Sequence, residues 1–300
     1  MARPVPNPDN GHINTRLAAM NIDSGSMQLS DFVDLERYPI DHLDSDRGQA
    51  LLAQCHEMMA ADTLVALPGF LRPEANDRLV NEISTLESQA RNIDFLSTAY
   101  GWMDNSDFHG THPRSQLLRR RCGAITAEQF ESDGLCIRLF QFDQLTEFVR
   151  RLLGYRTLYR SCCPTVSVRL NIMRTGDEFG WHFDTNDGVV SFITQNADSG
   201  GKFEYAPLIR SEEDENYSGV GRIMSEIDSP RCASTPPGTF VLFLGRRSLH
   251  RVSKVVDSAN TRQSLLFSYD KKPGMVFPAA VRKRLTQPTS DAFLGTGRAT

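Results

Sequence analysis

The sequence predicts a mainly β fold with flanking helices, its short strands closing into an antiparallel barrel or two-sheet jelly roll. Two observations carry this. Past about residue 155 helical spacing gives way to alternation, clearest over 165–173, where Val166, Val168, Leu170 and Ile172 share one face and Thr165, Ser167, Arg169 and Asn171 the other. Further strand-like runs follow at 189–194, 203–206, 239–244, 251–255 and 264–269, punctuated by Gly, Pro and Asp. A polar helical insertion, roughly 212–227, interrupts them.

The earlier half reads as helical. Residues 1–30 carry Pro4, Pro6, Pro8 and Gly11 among polar residues and read as a mobile tail, leaving 31–300 as one domain. Within it, a helical part spans about 44–154 and the jelly-roll core about 155–273. Ala50, Leu51, Cys55 and Met58 space an amphipathic helix over 46–59, with Asp44 or Ser45 as its cap. A strand over 63–67 ends at Gly69, and Pro73 opens a second helix striped by Ala75, Leu79, Ile83 and Leu86. Residues 94–113 read as a long loop holding Tyr100, Trp102, His109 and His112, of the length that often makes a lid. A helix over 142–153 ends at Gly154.

Composition narrows the function classes. With a net charge of -4 the chain has no global positive field for nucleic acid or an anionic membrane. The run Arg119-Arg120-Arg121 is a local exception, read as a solvated edge or a carboxylate clamp. Six cysteines fall in no CxxC or zinc-finger spacing, which suits free thiols in a reducing compartment. No stretch reaches the roughly 20 apolar residues of a membrane span, and no secretory signal opens the chain, so a cytoplasmic location is expected.

The chemistry concentrates in Trp181-His182-Phe183-Asp184 and, much later, Leu249-His250-Arg251. Residues i and i+2 of a strand project to one side, so His182 and Asp184 can aim an imidazole and a carboxylate at one point, and a neighbouring strand can add His250. Two histidines and a carboxylate form the facial triad that leaves positions open on a non-haem iron(II), although zinc takes the same residue types. His42-Leu43-Asp44 repeats the triplet ahead of any strand-rich segment and is read as a coincidence. His109 and His112 are read as loop residues. Arg262 and Ser264, sharing a strand face beyond His250, can together receive the distal carboxylate of a 2-oxo diacid.

With these residues in place the chain resembles the 2-oxoglutarate/iron(II) oxygenase superfamily, over about residues 67–273. The matching motifs are His182-x-Asp184, His250 and Arg262-x-Ser264. The segments WHFDTNDGVVSFITQNADSGGKFEYAP and LHRVSKVVDSANTRQSLLFSYDKKPG look closer still to a branch of halogenases and hydroxylases acting on free amino acids. The resemblance implies a cupin-like double-stranded β-helix core, with iron(II), 2-oxoglutarate and O2 as cofactor and cosubstrates. It implies an amino-acid-like small molecule as the substrate, with hydroxylation, desaturation or C–N ring closure as outcomes. Halogenating members carry a small residue, usually Gly, where Asp184 stands, so halogenation is not expected here. For the carboxylate of such a substrate the candidates are Arg121 and Arg169. A non-catalytic metal-binding ligand sensor and a zinc hydrolase are the readings from other classes.

Overall fold

A computed structural model describes residues 27–185 and 189–286. In chain order its elements are α1 (Asp46–Asp62), β1 (Leu64–Leu67), α2 (Pro73–Leu86), β2 (Arg91–Ser97), β3 (Leu118–Thr126), α3 (Leu135–Gln141) and α4 (Asp143–Leu152). Then come β4 (Tyr159–Arg160), β5 (Val168–Met173), β6 (Glu178–His182), β7 (Val189–Gln195), β8 (Phe203–Ala206) and α5 (Tyr217–Met224). The described residues end with β9 (Arg231–Cys232), β10 (Thr239–Phe243), β11 (Leu249–Val252), β12 (Arg262–Asp270) and α6 (Ala279–Thr286).

The strands form one curled antiparallel sheet in the order β1-β10-β7-β12-β5-β3-β6-β11-β8-β9, with β2 added to β3 and β4 to β12. This is the expected jelly roll. One half is β1-β10-β7-β12-β5 and the other β6-β11-β8-β9, and β3 joins them by pairing first with β6 and then with β5. The alternation in β5 sorts its side chains as expected. Val168, Leu170 and Ile172 are fully buried in the main core with Leu265 and Phe267 of β12, while Arg169 and Asn171 face the barrel interior. Leu51 and Cys55 of α1, Leu79 and Ile83 of α2, and Phe148 of α4 cover that apolar outer face. Burying it is the main driving force of the fold.

The helix signals near the start are local, and they hold. The Ser45 hydroxyl accepts from the Gly48 N–H at 3.1 Å to cap α1, and Pro73 occupies the first turn of α2. Three expectations change. The helical part, expected to hold one strand at 63–67, also contributes β2 and β3, so three strands from within 44–154 join the sheet. Residues 94–113 are not one loop, since Asp94–Ser97 belong to β2 and the connection runs from 98 to 117. The Arg119-Arg120-Arg121 run lies inside β3. Of the expected tail, residues 1–26 lie outside the described residues, while Leu29 is already buried in the main core.

A second apolar cluster lies behind the β6-β11 pair. Trp181, Phe183 and Leu249 pack there with Tyr100 from the 98–117 connection and with Val220 and Ile223 of α5. Among the described residues no helix is long and apolar enough to cross a membrane.

Candidate metal and cosubstrate site

β6 and β11 run antiparallel with His182 directly opposite His250, so the two rings stand 3.9 Å apart, centroid to centroid. Each ring is oriented by a backbone carbonyl of its own strand or turn. His182 Nδ1 lies 2.9 Å from the Gly180 carbonyl oxygen, and His250 Nδ1 lies 3.0 Å from that of Ser248. A carbonyl can only accept, so Nδ1 carries a proton in both rings and Nε2 is the atom each turns toward Asp184. Burial pushes His182 well below its ordinary range, with His250 and Arg120 adding to the effect. A neutral imidazole is the form that binds a metal.

Asp184 completes the group, by a different route from the strand pleat the sequence suggested. It lies past the end of β6, where its N–H donates to the Gly245 carbonyl at 3.0 Å. Its Oδ1 is 3.9 Å from His182 Nε2 and 3.6 Å from His250 Nε2, and the ligand atoms of all three residues lie within 4.8 Å of one another. Gly245 makes room for it. A Cβ there would overlap Asp184 Oδ2 and sit 3.0 Å from His250 Cε1.

These three residues line a cavity of about 330 Å³ in the barrel interior. Arg262 and Ser264 line it too, both buried, with Arg262 Nη1 donating to Ser264 Oγ at 3.3 Å. Among the described residues no carboxylate pairs with Arg262. Burial draws its guanidinium down to about 10, so it is still a cation at neutral pH. A buried cation without a counter-charge costs several kcal/mol, on the order of what breaking a buried ion pair costs, and that favours an anionic ligand. Gly201, at φ +60°, lies against the Arg262 stem, where a Cβ would come within 3.1 Å of Cδ. Two buried imidazoles, a carboxylate and an arginine with no carboxylate partner among the described residues suit a divalent metal together with an anionic chelator.

Of the two candidate substrate arginines the structure brings in one. Arg169 faces the cavity, and among the described residues its contact is the Cys122 sulfur, 4.0 Å from Nη2, while its Nε has no hydrogen-bond partner. Asn171, two residues on, faces the same space with an unsatisfied Oδ1. Arg121 does not enter. Its Nε pairs with Asp177 at 3.0 Å, outside the cavity lining, so that ion pair takes the place of the expected substrate contact. Arg120, its neighbour on the opposite face of β3, lines the cavity with its guanidinium 5.1 Å from the Phe179 ring. Sequence reasoning missed Arg120 because it missed the strand. Once β3 is recognised, period two separates Arg120 from Arg119 and Arg121.

The connection from 98 to 117 contributes Gly101 and Trp102 to the lining. Tyr100 is fully buried in the second cluster against Phe183, with ring centroids 5.1 Å apart, and is packing rather than lid. His112 stacks on Phe108 at 4.3 Å, away from the metal group, and His109 lies in the same connection. Phe277 and Val281, from the C-terminal segment, close part of the cavity wall, a role no pattern in the sequence announced.

No protein-family model matches the chain, and no curated protein matches it. Solved structures share its fold. The epimerase SnoN, solved with Fe3+, alpha ketoglutarate and nogalamycin RO, aligns with a TM-score of 0.53 at 14% identity, over 81% of this chain and 93% of that one. Another SnoN structure, described as a non-heme alpha ketoglutarate dependent epimerase, gives 0.52 at 14% identity over 74% and 83%. AviO1 from Streptomyces viridochromogenes Tue57 gives 0.50 at 14% identity over 75% and 97%. At these identities the likeness establishes the fold.

Proposed function

We propose that this chain is an iron(II)- and 2-oxoglutarate-dependent oxygenase that oxidises an unactivated C–H bond of a small carboxylate-bearing molecule, a free amino acid in the first instance. The observation that carries the reading is the joint presence, in one cavity, of the His182–Asp184–His250 group and a buried Arg262 with no carboxylate partner among the described residues. His182, His250 and Asp184 would hold the metal, and Arg262 with Ser264 would take the distal carboxylate of 2-oxoglutarate. Iron(II) with 2-oxoglutarate bound supplies the oxidant, consuming O2 and releasing succinate and CO2. The protein contributes two imidazoles and a carboxylate as ligands, an anion anchor, and a wall of Phe95, Phe179, Leu266 and Phe277 that keeps water from the reacting carbon.

Arg169 supports the carboxylate-bearing substrate, as a second cation in the cavity with no carboxylate partner among the described residues. Asp184 argues against halogenation, because its carboxylate fills the position a halide would need. Hydroxylation is the outcome put forward, with desaturation or C–N ring closure as its alternatives, since the endings differ in where the substrate sits rather than in the metal ligands. A simple metal-binding module or a zinc hydrolase would have no need of Arg262 as an anchor for a 2-oxo diacid. A cytoplasmic location is part of the same proposal.

The test is oxygen uptake by the iron(II)-loaded chain with 2-oxoglutarate, over a panel of amino acids, with heavy-isotope oxygen gas and mass analysis of products. Labelled hydroxyl on an amino acid is the expected result. Oxygen uptake that does not depend on 2-oxoglutarate would overturn the reading, and a chlorinated product would overturn the role given to Asp184.

A further inference from the structure

Arg210 stands in the connection that follows β8, outside the cavity lining and outside every motif noted in the sequence, yet it is one of the most fully engaged cations in the molecule. Only 10% of its side chain is exposed. Nη1 pairs with both carboxylate oxygens of Glu215, at 2.9 and 3.2 Å, and Nε and Nη2 both donate to the Arg246 carbonyl, Nε at 2.9 Å. Its guanidinium carbon Cζ lies over the Phe183 ring, 4.3 Å from the centroid, and is 5.2 Å from that of Trp102 and 5.7 Å from that of Tyr100.

These contacts converge on Asp184 from two sides. Phe183 is the residue between His182 and Asp184, so a group that fixes its ring fixes the turn that carries the carboxylate. Arg246 follows Gly245, whose carbonyl accepts the Asp184 N–H and whose missing side chain gives Oδ2 its space. One guanidinium therefore grips the peptide beside the glycine and lies over the ring before the carboxylate. We infer that Arg210 is a positioning residue for Asp184, holding its carboxylate toward His182 and His250 through Phe183 on one side and the Gly245–Arg246 turn on the other.

The chemistry requires arginine. A lysine ammonium could sit over the Phe183 ring, but it cannot also serve the Glu215 carboxylate and the Arg246 carbonyl in that fork geometry. The arrangement also gives the insertion between β8 and β9 a purpose, because Glu215 lies immediately ahead of α5 and Tyr217, Val220 and Ile223 of that helix pack into the same cluster as Phe183. The insertion buttresses the metal turn.

The inference rests on the metal reading proposed above, and its test does not need turnover. Co(II) is titrated into metal-free full-length chain and followed by its visible absorption. Arg210→Gln is expected to weaken Co(II) binding by about tenfold or more, the size of loss typical when a group supporting a metal ligand is removed. Arg210→Lys should restore only part of the affinity. In an Asp184→Gly background the Arg210→Gln change should add nothing, because a residue that acts through Asp184 loses its effect when Asp184 is gone. Ile83→Val, which thins the main core on α2 away from the metal turn, should lower the melting temperature and leave Co(II) affinity unchanged. If Arg210→Gln does not fold, Glu215→Gln, which leaves the guanidinium over Phe183 but loosens its fork, is expected to lose severalfold in affinity. Wild-type affinity in the folded Arg210 or Glu215 variants overturns the inference, as does an equal loss in the Asp184→Gly background. Failure of the unmodified chain to bind Co(II) would instead overturn the metal reading, and this inference with it.

Discussion

His42-Leu43-Asp44 and His182-Phe183-Asp184 have the same ends, and the structure treats them in opposite ways. The His42 side chain is 77% exposed and touches Asp41 at 2.8 Å, while Asp44, 86% exposed, reaches across to Arg151. The His182 side chain is 9% exposed and that of Asp184 32%. What separates them is the surrounding backbone. The Gly180 carbonyl fixes the tautomer of His182, Gly245 leaves space for the Asp184 carboxylate, and β11 delivers His250 across the ladder. In the first triplet the backbone does the useful work: the His42 carbonyl accepts from both the Ser45 N–H and the Ser45 hydroxyl, closing the turn into α1. A metal motif is thus a property of its tautomers and its free space more than of its letters.

The largest effect that would break this comparison is at the ligands. His182→Ala or His250→Ala should weaken Co(II) or iron(II) binding by at least about a hundredfold and abolish 2-oxoglutarate turnover, because each removes one of three protein ligands. His42→Ala should leave both unchanged. Equal losses at His42 and His182, measured by metal titration, would erase the distinction. Next in size is Arg262→Ala, expected to raise the 2-oxoglutarate concentration needed for half-maximal rate by about tenfold or more while leaving Co(II) affinity intact, since a charge-assisted contact to the cosubstrate is lost and no metal ligand is touched. Gly245→Ala should show the reverse split. Its Cβ collides with Asp184 Oδ2, so metal affinity is expected to fall about tenfold, in the range seen for residues that support a ligand. Unaltered Co(II) binding in that variant would mean the carboxylate has another resting place.

The same contrast marks what could be read from the chain. Local signals were legible: the Ser45 cap, Pro73 in the first turn of α2, the alternation in β5, and the spacing of Arg262 and Ser264 on β12. Features that depend on distant partners were not. The start of α3 offers no cap of its own, because Glu82 of α2 accepts from the Leu135 and Cys136 N–H groups. β3 begins with arginines whose outward members are neutralised from other elements, Arg119 by Asp94 of β2 and Arg121 by Asp177, so its charge hid a strand. Gly245 and Arg210 act on Asp184 across the fold, from sequence positions that carry no motif. A sequence states which groups a site uses. It says much less about what holds them still.

Two smaller effects sharpen the comparison from the side of the first triplet. Ser45→Ala should lower stability by about 1 kcal/mol, the usual cost of losing an N-cap side chain, with no change in metal binding. Chemical denaturation of the metal-free chain measures it.

The smallest expected effect is Asp44→Asn. Asp44 Oδ1 lies 2.7 Å from Arg151 Nη1, which on distance alone looks like a strong pair. Solvent surrounds the carboxylate, however, and exposed pairs of this kind contribute between about 0 and 1 kcal/mol. Arg151 also keeps a second partner, since its Nε donates to Glu147 at 2.9 Å on the same helix. Arg150 and then Arg151 hold the Glu147 carboxyl down at about 2, so the stabilisation from Glu147 is present above the ordinary glutamate range and is lost as pH falls from there toward about 2. Asp44→Asn should therefore change stability by less than about 0.5 kcal/mol near neutral pH and should retain that acid limb, because Glu147 and both arginines remain. Denaturant midpoints from neutral pH down to the acid transition decide it. A drop at neutral pH as large as that of Ser45→Ala would show that the exposed carboxylate, and not the turn beside it, is what the first triplet contributes to the fold.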